Sequence, residues 1–384
     1  MAKRRAHGEG TIVQLENGTW RGAVSIGGGK RKWVRGATRA EVVRQIGEVK
    51  ARRDKGLPVA DAREKVGHFL DEWLENSAKR SVRPRTYDSY AGHVRNHLAP
   101  ALGNIRLADL SPAHVQRMLV DIQTGGLSAN SVVRVHATLR RALNQAERWG
   151  LVHRNVAKLV DLPEVKPKEI EPFTPEEARA FLDAVAGDRL EALYSVAMAM
   201  GLRQGEALGL RWQDVDLERR EMTVRFQLQR NPRGEGMIQL DGNRGLVPTK
   251  SHRSRRSLVI PETLADKLRA HRARQGRERL LMGDDWVDHG LVFTTRKGTP
   301  LDGAEQTRRF RMLLAANGLP PRRFHDMRHS CGTILAAQGV PLSEVMEILG
   351  HSNIAVTMRY VHSLPETRRH AAQKMDDALW GSGG

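Results

Sequence analysis

The chain has 384 residues, 40% of them hydrophobic, and 63 Lys+Arg against 44 Asp+Glu leave a formal charge of +19. The length predicts two or three domains with a sizeable core, and the balance of apolar and charged residues is that of a soluble globular chain rather than a disordered one. No apolar run approaches the roughly 18–20 residues of a bilayer span, the basic Met1-Ala2-Lys3-Arg4-Arg5 leads into polar residues rather than a secretory leader, and the single Cys331 argues against disulfides, thiolate zinc sites and iron–sulfur clusters. A pI near 10.7 points to a polyanionic partner, nucleic acid ahead of a membrane surface. Residues 1–56 alone hold 14 Lys/Arg against 5 Asp/Glu.

Within 8–56, the stretches Thr11–Leu15, Thr19–Ile26 and Lys30–Arg35 are short and rich in Val, Ile, Thr and Trp. Glu16-Asn17-Gly18 and Gly27-Gly28-Gly29 separate them, which predicts a three-stranded hairpin sheet. Thr38 then caps a helix to about Lys55, with Val42, Val43, Ile46 and Val49 along one face. Arg21, Lys30, Arg31, Lys32 and Arg35 fall on the strands, so the sheet suits a DNA groove. A solubilising basic tail is the alternative; Trp20, Trp33 and the strand-like alternation speak against it.

Residues 64–160 are expected to be helical. Val66, Phe69, Leu70, Trp73 and Leu74, and then Tyr87, Tyr90, Val94 and Leu98, recur at helical spacing. Ser111-Pro112 and Ser128 read as helix starts, and Trp149-Gly150 as a helix end. Arg83, Arg85, Arg95, Arg134, Arg140, Arg141 and Arg148 make this block either a DNA clamp or an ordinary helical domain with a solvated basic face. Residues 161–172, with Pro163, Pro167 and Pro172, read as an extended linker. Thr174-Pro175-Glu176-Glu177 is a capping box opening the block 173–380, where helices lead to Trp212, strands follow near 221–229 and 254–260, and helices resume.

Four features of this last block carry chemistry. Arg203 stands at a helix start in Gly201-Leu202-Arg203-Gln204-Gly205-Glu206. His325 and Arg328 are spaced to share a helix face. His351 lies just past a helix end at Leu349-Gly350-His351, and Tyr360, one of four tyrosines, follows. Singly, each has a plain explanation: a structural ion pair between Arg203 and Glu206, a satisfied polar histidine, a core tyrosine.

Together they resemble the tyrosine recombinase, or phage-type integrase, family. The resemblance rests on Gly-Leu-Arg-x-x-Glu-x-Leu-x-Leu at 201–210 with Trp212-x-Asp214, on Pro248-Thr249-Lys250 with Ser254-Arg255-Arg256 returning along a hairpin, on His325-x-x-Arg328-His329-Ser330, on Leu349-Gly350-His351, and on Thr357-x-x-Tyr360-x-His362. It covers the whole third block; 64–160 resembles, more loosely, the SAM-like core-binding domain, and 8–56 the arm-binding sheet of some integrases. The implied fold class is multidomain, mainly α with small β-sheets: an N-terminal three-stranded sheet plus helix, a helical core-binding domain, and a mixed α+β catalytic domain with a C-terminal tail helix.

The resemblance implies a site-specific recombinase that cleaves and rejoins DNA through a 3′-phosphotyrosyl intermediate, without metal, ATP or other cofactor. Tyr360 is implied as nucleophile, Arg203 and Arg328 as the phosphate clamp, His325 and His351 as proton-transfer or hydrogen-bonding groups, and Lys250 as general acid. Glu206 orients Arg203. The residue types suit the task, because a phenol titrating near 10 needs adjacent positive charge to react at neutral pH, and guanidinium forks match phosphate oxygens. Arg21, Lys30, Arg31, Lys32, Arg35, Arg83, Arg85, Arg134, Arg140 and Arg141 are the expected DNA contacts. Double-stranded DNA with core and arm sites and a homo-tetramer are the implied partners, with room for a DNA-bending host factor and an excisionase, in the bacterial cytoplasm. Leu364, Ala371, Ala372, Met375 and Leu379, with Trp380, form a tail-helix stripe that packs in cis or on a neighbouring subunit, and Cys331 reads as buried packing. A catalytically inactive DNA-binding or architectural protein and a type IB topoisomerase are the alternatives.

Overall fold

The computed structural model describes residues 11–27, 30–54, 64–166, 171–230, 236–249, 254–351, 353–358, 375–377 and 379–381. The chain divides into two compact units, Met1–Pro167 and Lys168–Gly384.

In the first unit, β1 (Thr11–Gln14), β2 (Trp20–Gly27) and β3 (Lys30–Gly36) form an antiparallel sheet in the order β1-β2-β3. The first turn is closed by Asn17, whose Oδ1 accepts from both the backbone N and the hydroxyl of Thr19. α1 (Arg39–Asp54) starts where Thr38 Oγ1 accepts from Glu41 N at 3.2 Å and Glu41 Oε2 accepts from Ala37 N at 3.0 Å. Val24 and Val34 of the sheet pack on Val42, Ile46 and Val49 of the helix. Val43 does not join them. It lies about 100° around the helix from Val42, off the stripe defined by the steps of four and three, and is 45% exposed.

The helical part of this unit runs through α2 (Val66–Trp73), a π-helical turn (Leu74–Ala78), α3 (Lys79–Ser81), α4 (Pro84–His93), a second π-helical turn (Val94–Leu98), α5 (Ala99–Leu102), α6 (Pro112–Thr124) and α7 (Ala129–Arg148). Ser111 and Ser128 cap α6 and α7 through their hydroxyls. Val132, Val135, Leu139, Ala142, Leu143 and Ala146 of α7 bury one stripe against Phe69, Leu70, Leu98 and Met118, so the helices close on a single apolar centre.

The second unit is organised around α9 (Glu191–Ala199), which follows α8 (Pro175–Ala184) and is apolar on nearly every side. The Thr174–Glu177 capping box opens α8. Phe181 and Tyr194 meet Phe310 and Phe324 in an aromatic cluster with centroids 5.2–6.4 Å apart. α10 (Gln204–Leu208) leads to two small sheets. One has the order β4 (Val215–Asp216), β5 (Glu221–Val224), β9 (Arg256–Val259). The other has β6 (Phe226–Arg230), β8 (Arg244–Pro248) and β7 (Ile238–Asp241) in the order β6-β8-β7. Then follow α11 (Glu262–Met282), α12 (Gly303–Ala316), α13 (Asp326–Ala337), α14 (Leu342–Leu349) and α15 (Ile354–Thr357). Helices dominate both units and every sheet is small and antiparallel, the fold class expected.

One expectation is corrected. Ser254-Arg255-Arg256 does not return beside Pro248 as a hairpin. β8 pairs with β6, matching Pro248 to Phe226, whereas β9 pairs with β5, matching Arg256 to Val224. β8 and β9 therefore belong to different sheets, as do the consecutive strands β5 and β6. Arg256 ends up under α14.

Candidate active site

The buried α9 delivers the chain to Gly201, whose φ of +59° would strain any other residue. A Cβ there would lie 2.4 Å from Leu349 Cδ2 and 3.1 Å from Cys331 Sγ. Two residues on, Arg203 opens α10. Glu206, 3% exposed, grips it twice: Oε1 accepts from Arg203 Nη1 at 2.7 Å and Oε2 from Arg203 N at 3.1 Å. The Glu206 carboxylate also pairs with Arg256 Nη2 at 3.1 Å. Burial pushes this carboxyl upward, but Arg256 and Arg203 outweigh it and hold the pKa below the ordinary value, so Glu206 stays ionised.

His325 is the residue preceding α13, and Asp326, clamped by Arg323, fixes the entry into the helix. Arg328 is buried. Its Nη1 donates to the carbonyl of Gly201 at 2.8 Å and its Nη2 to the carbonyl of Leu349. α14 ends in a Schellman turn, with His351 N donating to Met346 O at 2.9 Å, Gly350 N to Glu347 O at 3.0 Å, and Gly350 left-handed at φ +64°. That turn folds His351 inward, where Nδ1 shares a hydrogen bond of 2.9 Å with Thr357 Oγ1 of α15.

These bonds bring Arg203, Arg328 and His351 together, with Arg328 spanning the Gly201 and Leu349 carbonyls. His325 stands at the N-terminus of α13, the helix that carries Arg328. Its surface remains accessible, but the surrounding protein desolvates the ring, and His329, Arg328 and Arg203 add positive charge, lowering its pKa to about 4. His351 is lowered to about 3, first by burial and then by Arg328 and Arg203. Both rings are neutral at pH 7, and the guanidinium groups supply the cationic charge. Such a site suits an anion with several oxygen acceptors, such as a phosphodiester.

Lys250 and Tyr360 lie outside the described residues, which reach Thr249 on one side and Met358 on the other. Of the expected DNA contacts, Arg21, Arg31 and Arg35 share the sheet face turned away from α1. The register pairs Arg21 with Arg35, and the Arg21 guanidinium stacks 3.8 Å from the ring centre of Trp33. The side chains of Lys30 and Lys32 are not among those described; both residues belong to β3. Arg83 and Arg85 are exposed at the start of α4, and Arg134, Arg140 and Arg141 are exposed on α7, where Arg141 Nη1 donates to the Tyr90 hydroxyl at 3.4 Å. Among the described residues, Glu64, just before α2, and His68 and Glu72 on it bring ligand atoms within 4.8 Å of one another.

A family model described as "Phage integrase family" matches residues 171–367. The chain belongs to the phage integrase family. A second model, "Phage integrase, N-terminal SAM-like domain", matches residues 65–121. An integrase of Saccharopolyspora erythraea is 27% identical, over 99% of this chain and 98% of that protein. A protein of Caldanaerobacter subterraneus subsp. tengcongensis named "Tyrosine recombinase XerC-like" is 33% identical, over 81% of this chain and 83% of its own. An integrase of Streptomyces ambofaciens is 32% identical, over 93% and 92%. Among solved structures, the Tn1549 transposon integrase in complex with a circular intermediate DNA superimposes with a TM-score of 0.68 at 19% identity, covering 81% of this chain and 99% of that one. A lambda integrase tetramer bound to a Holliday junction gives 0.56 at 17% identity, covering 91% and 94%. These structures share the fold. The integrase is a tyrosine recombinase, an enzyme of site-specific DNA recombination, and neither the inactive architectural alternative nor the topoisomerase one is favoured.

Sequence alone assigned no role to two residues of this recombinase that the geometry ties to the site. Arg256 was visible only as part of the Ser254-Arg255-Arg256 stretch, and Thr357 only as the start of the tyrosine segment; neither carries a signal for a partner distant in sequence. Cys331 is buried against α9, its thiol donating to Ala199 O and its pKa pushed up to about 12 by burial. Among the described residues of the integrase, no helix is long and apolar enough to cross a membrane.

Proposed function

We propose that this recombinase cleaves one DNA strand by attack of the Tyr360 hydroxyl on the scissile phosphorus. The P–O5′ bond breaks, a 3′-phosphotyrosyl bond forms, and Lys250 protonates the departing 5′-oxygen. Arg203 and Arg328 neutralise the non-bridging oxygens, His325 and His351 exchange protons or hydrogen-bond with the phosphate, and Glu206 orients Arg203. The phosphotyrosyl bond conserves the energy of the broken one, so the 5′-hydroxyl of a second strand reverses the step without ATP. The observation that carries this reading is the buried Arg328 fork, which ties the carbonyl of Gly201, two residues before Arg203, to that of Leu349, two residues before His351.

The same reading assigns 8–56 to arm-type sites and 64–160 to core sites, with 161–172 as linker and 173–380 as the catalytic part. Exposed Arg31, Arg35, Arg83, Arg85, Arg134, Arg140 and Arg141 and half-buried Arg21 support it, as do the DNA-bound structures of the Tn1549 and lambda integrases. Lys30 and Lys32 extend the arm-binding set. Four copies act on two DNA sites in the bacterial cytoplasm, passing through a Holliday junction, with a DNA-bending host factor and an excisionase as accessory partners. Exposed Met375, Leu379 and Trp380 of the tail, and a groove of about 660 Å³ whose lining includes Met200, Leu258, Leu335, Met346 and Ile348, support a tail-to-neighbour contact in that tetramer.

The test is a core-site duplex nicked beside the scissile phosphate, from which the cleaved fragment diffuses away and traps the covalent complex. The wild-type chain accumulates a protein–DNA adduct; Tyr360→Phe binds the duplex and forms none. An adduct that persists in Tyr360→Phe removes Tyr360 from its role.

A further inference from the structure

We propose that Arg256 is a positioning residue that locks the Arg203 phosphate clamp to the end of α14 that bears His351. This rests on the assignment of Arg203 and His351 to the reacting phosphate. Arg256 lies on β9, remote in sequence from both, and its side chain is 7% exposed. All three of its nitrogens are committed. Nε donates to the carbonyl of Ile348 at 2.6 Å, Nη1 to the carbonyl of Ser254 at 3.1 Å, and Nη2 to Glu206 Oε2 at 3.1 Å. The group therefore acts through its neighbours and not on the phosphate.

Two consequences follow from this geometry. Glu206 is the residue that orients Arg203, and its oxygens are divided between Arg203 and Arg256. The last turn of α14 leaves carbonyls without helical partners at the negative end of its dipole. Arg256 takes that of Ile348 and Arg328 that of Leu349, so two buried cations hold the turn from which His351 emerges. Arg256 thus spans α10, β9 and α14 with one rigid fork. Loss of the fork takes from the Ile348 carbonyl its side-chain donor and from the buried Glu206 carboxylate one of its two cationic partners, leaving Oε2 with the Arg203 backbone N–H. Lysine is no substitute: its single ammonium, on a flexible stem, reaches Glu206 or Ile348 but does not span both. Arg256 is also one of the cations that lower His351, which gives its charge and its geometry separable readouts.

The experiment measures adduct formation on nicked core-site DNA against pH, with DNA affinity and thermal unfolding measured in parallel, for the full chain and for R256K and R256M. R256K keeps the charge and loses the span. It is expected to cleave roughly 10–100-fold more slowly, as small misplacements of reacting groups do, at unchanged affinity, with an unfolding midpoint modestly lowered but still well above the assay temperature and with the acidic limb of the pH profile in place. R256M is expected to be slowed as well, with that limb moved to higher pH because His351 protonates more readily. Wild-type rates in R256K overturn the proposal, and so does a rate loss in R256K that follows loss of DNA affinity or of folded protein. If the unsubstituted chain forms no adduct, the catalytic assignment itself fails and the positioning role falls with it; an adduct in the wild type with indifferent variants refutes the positioning role alone.

Discussion

Gly201→Ala tests the junction on which the site is built. An alanine at φ +59° costs about 1–2 kcal/mol in backbone strain. The new methyl would lie 2.4 Å from Leu349 Cδ2 and 3.1 Å from Cys331 Sγ, both in a buried cluster with Val345, and overpacking of that kind costs about 1–3 kcal/mol. The two together destabilise the C-terminal unit by about 2–5 kcal/mol, or roughly 5–15 °C in its unfolding midpoint for a body of this size. The same collision displaces the two carbonyls, of Gly201 and Leu349, that seat the Arg328 fork. Thermal unfolding of the full chain followed by tryptophan fluorescence gives the midpoint, and nicked-duplex cleavage well below that midpoint gives the rate. Both are expected to fall, the rate by more than the unfolded fraction accounts for. A variant with the wild-type midpoint and rate would refute the left-handed turn and the packing inferred for it.

Arg328→Lys retains charge but cannot hold both carbonyls and a phosphate; single-turnover cleavage is expected to drop roughly 10²–10³-fold with core-site affinity preserved, and a drop below tenfold contradicts the clamp. His351 and His325, lowered to about 3 and about 4, bind fewer protons folded than unfolded between those values and 6.5. Stability therefore falls as pH drops below 6.5, on the order of 2–3 kcal/mol by pH 4 from the buried His351; His351→Gln is expected to remove that share in denaturant titrations at pH 7 and pH 4, and an unchanged pH dependence argues against a buried neutral imidazole. Replacing Arg21, Arg31 and Arg35 together by alanine is expected to flatten the slope of log affinity against log salt for arm DNA by about 2–3 while core-site cleavage proceeds; loss of core cleavage instead contradicts the division of labour.

Local signals translated well into local structure. Thr38, Ser111, Ser128 and Thr174 each cap the helix that follows, because a hydroxyl three residues before an unpaired N–H needs nothing from the rest of the chain. The meeting of the Arg203 segment with Arg328 was legible only through family resemblance, since no local rule links residues 125 positions apart. What stayed hidden depends on long-range pairing. The exchange of β9 onto β5 is set by which strands already occupy each sheet, and the reach of Arg256 to Ile348 exists only once α14 has packed over β9. Val43 looked like a core residue because valine is apolar; its azimuth relative to Val42, Ile46 and Val49 sends it to solvent.

The account as a whole depends on the atom that bonds to DNA. The adduct trapped on nicked core-site DNA can be trimmed with nuclease, digested with trypsin and sequenced by mass spectrometry. A nucleotide joined through its 3′-phosphate to the first residue of the peptide Tyr360–Arg368 is the predicted result. The same mass on any other residue, or a linkage through the 5′-phosphate, would contradict it.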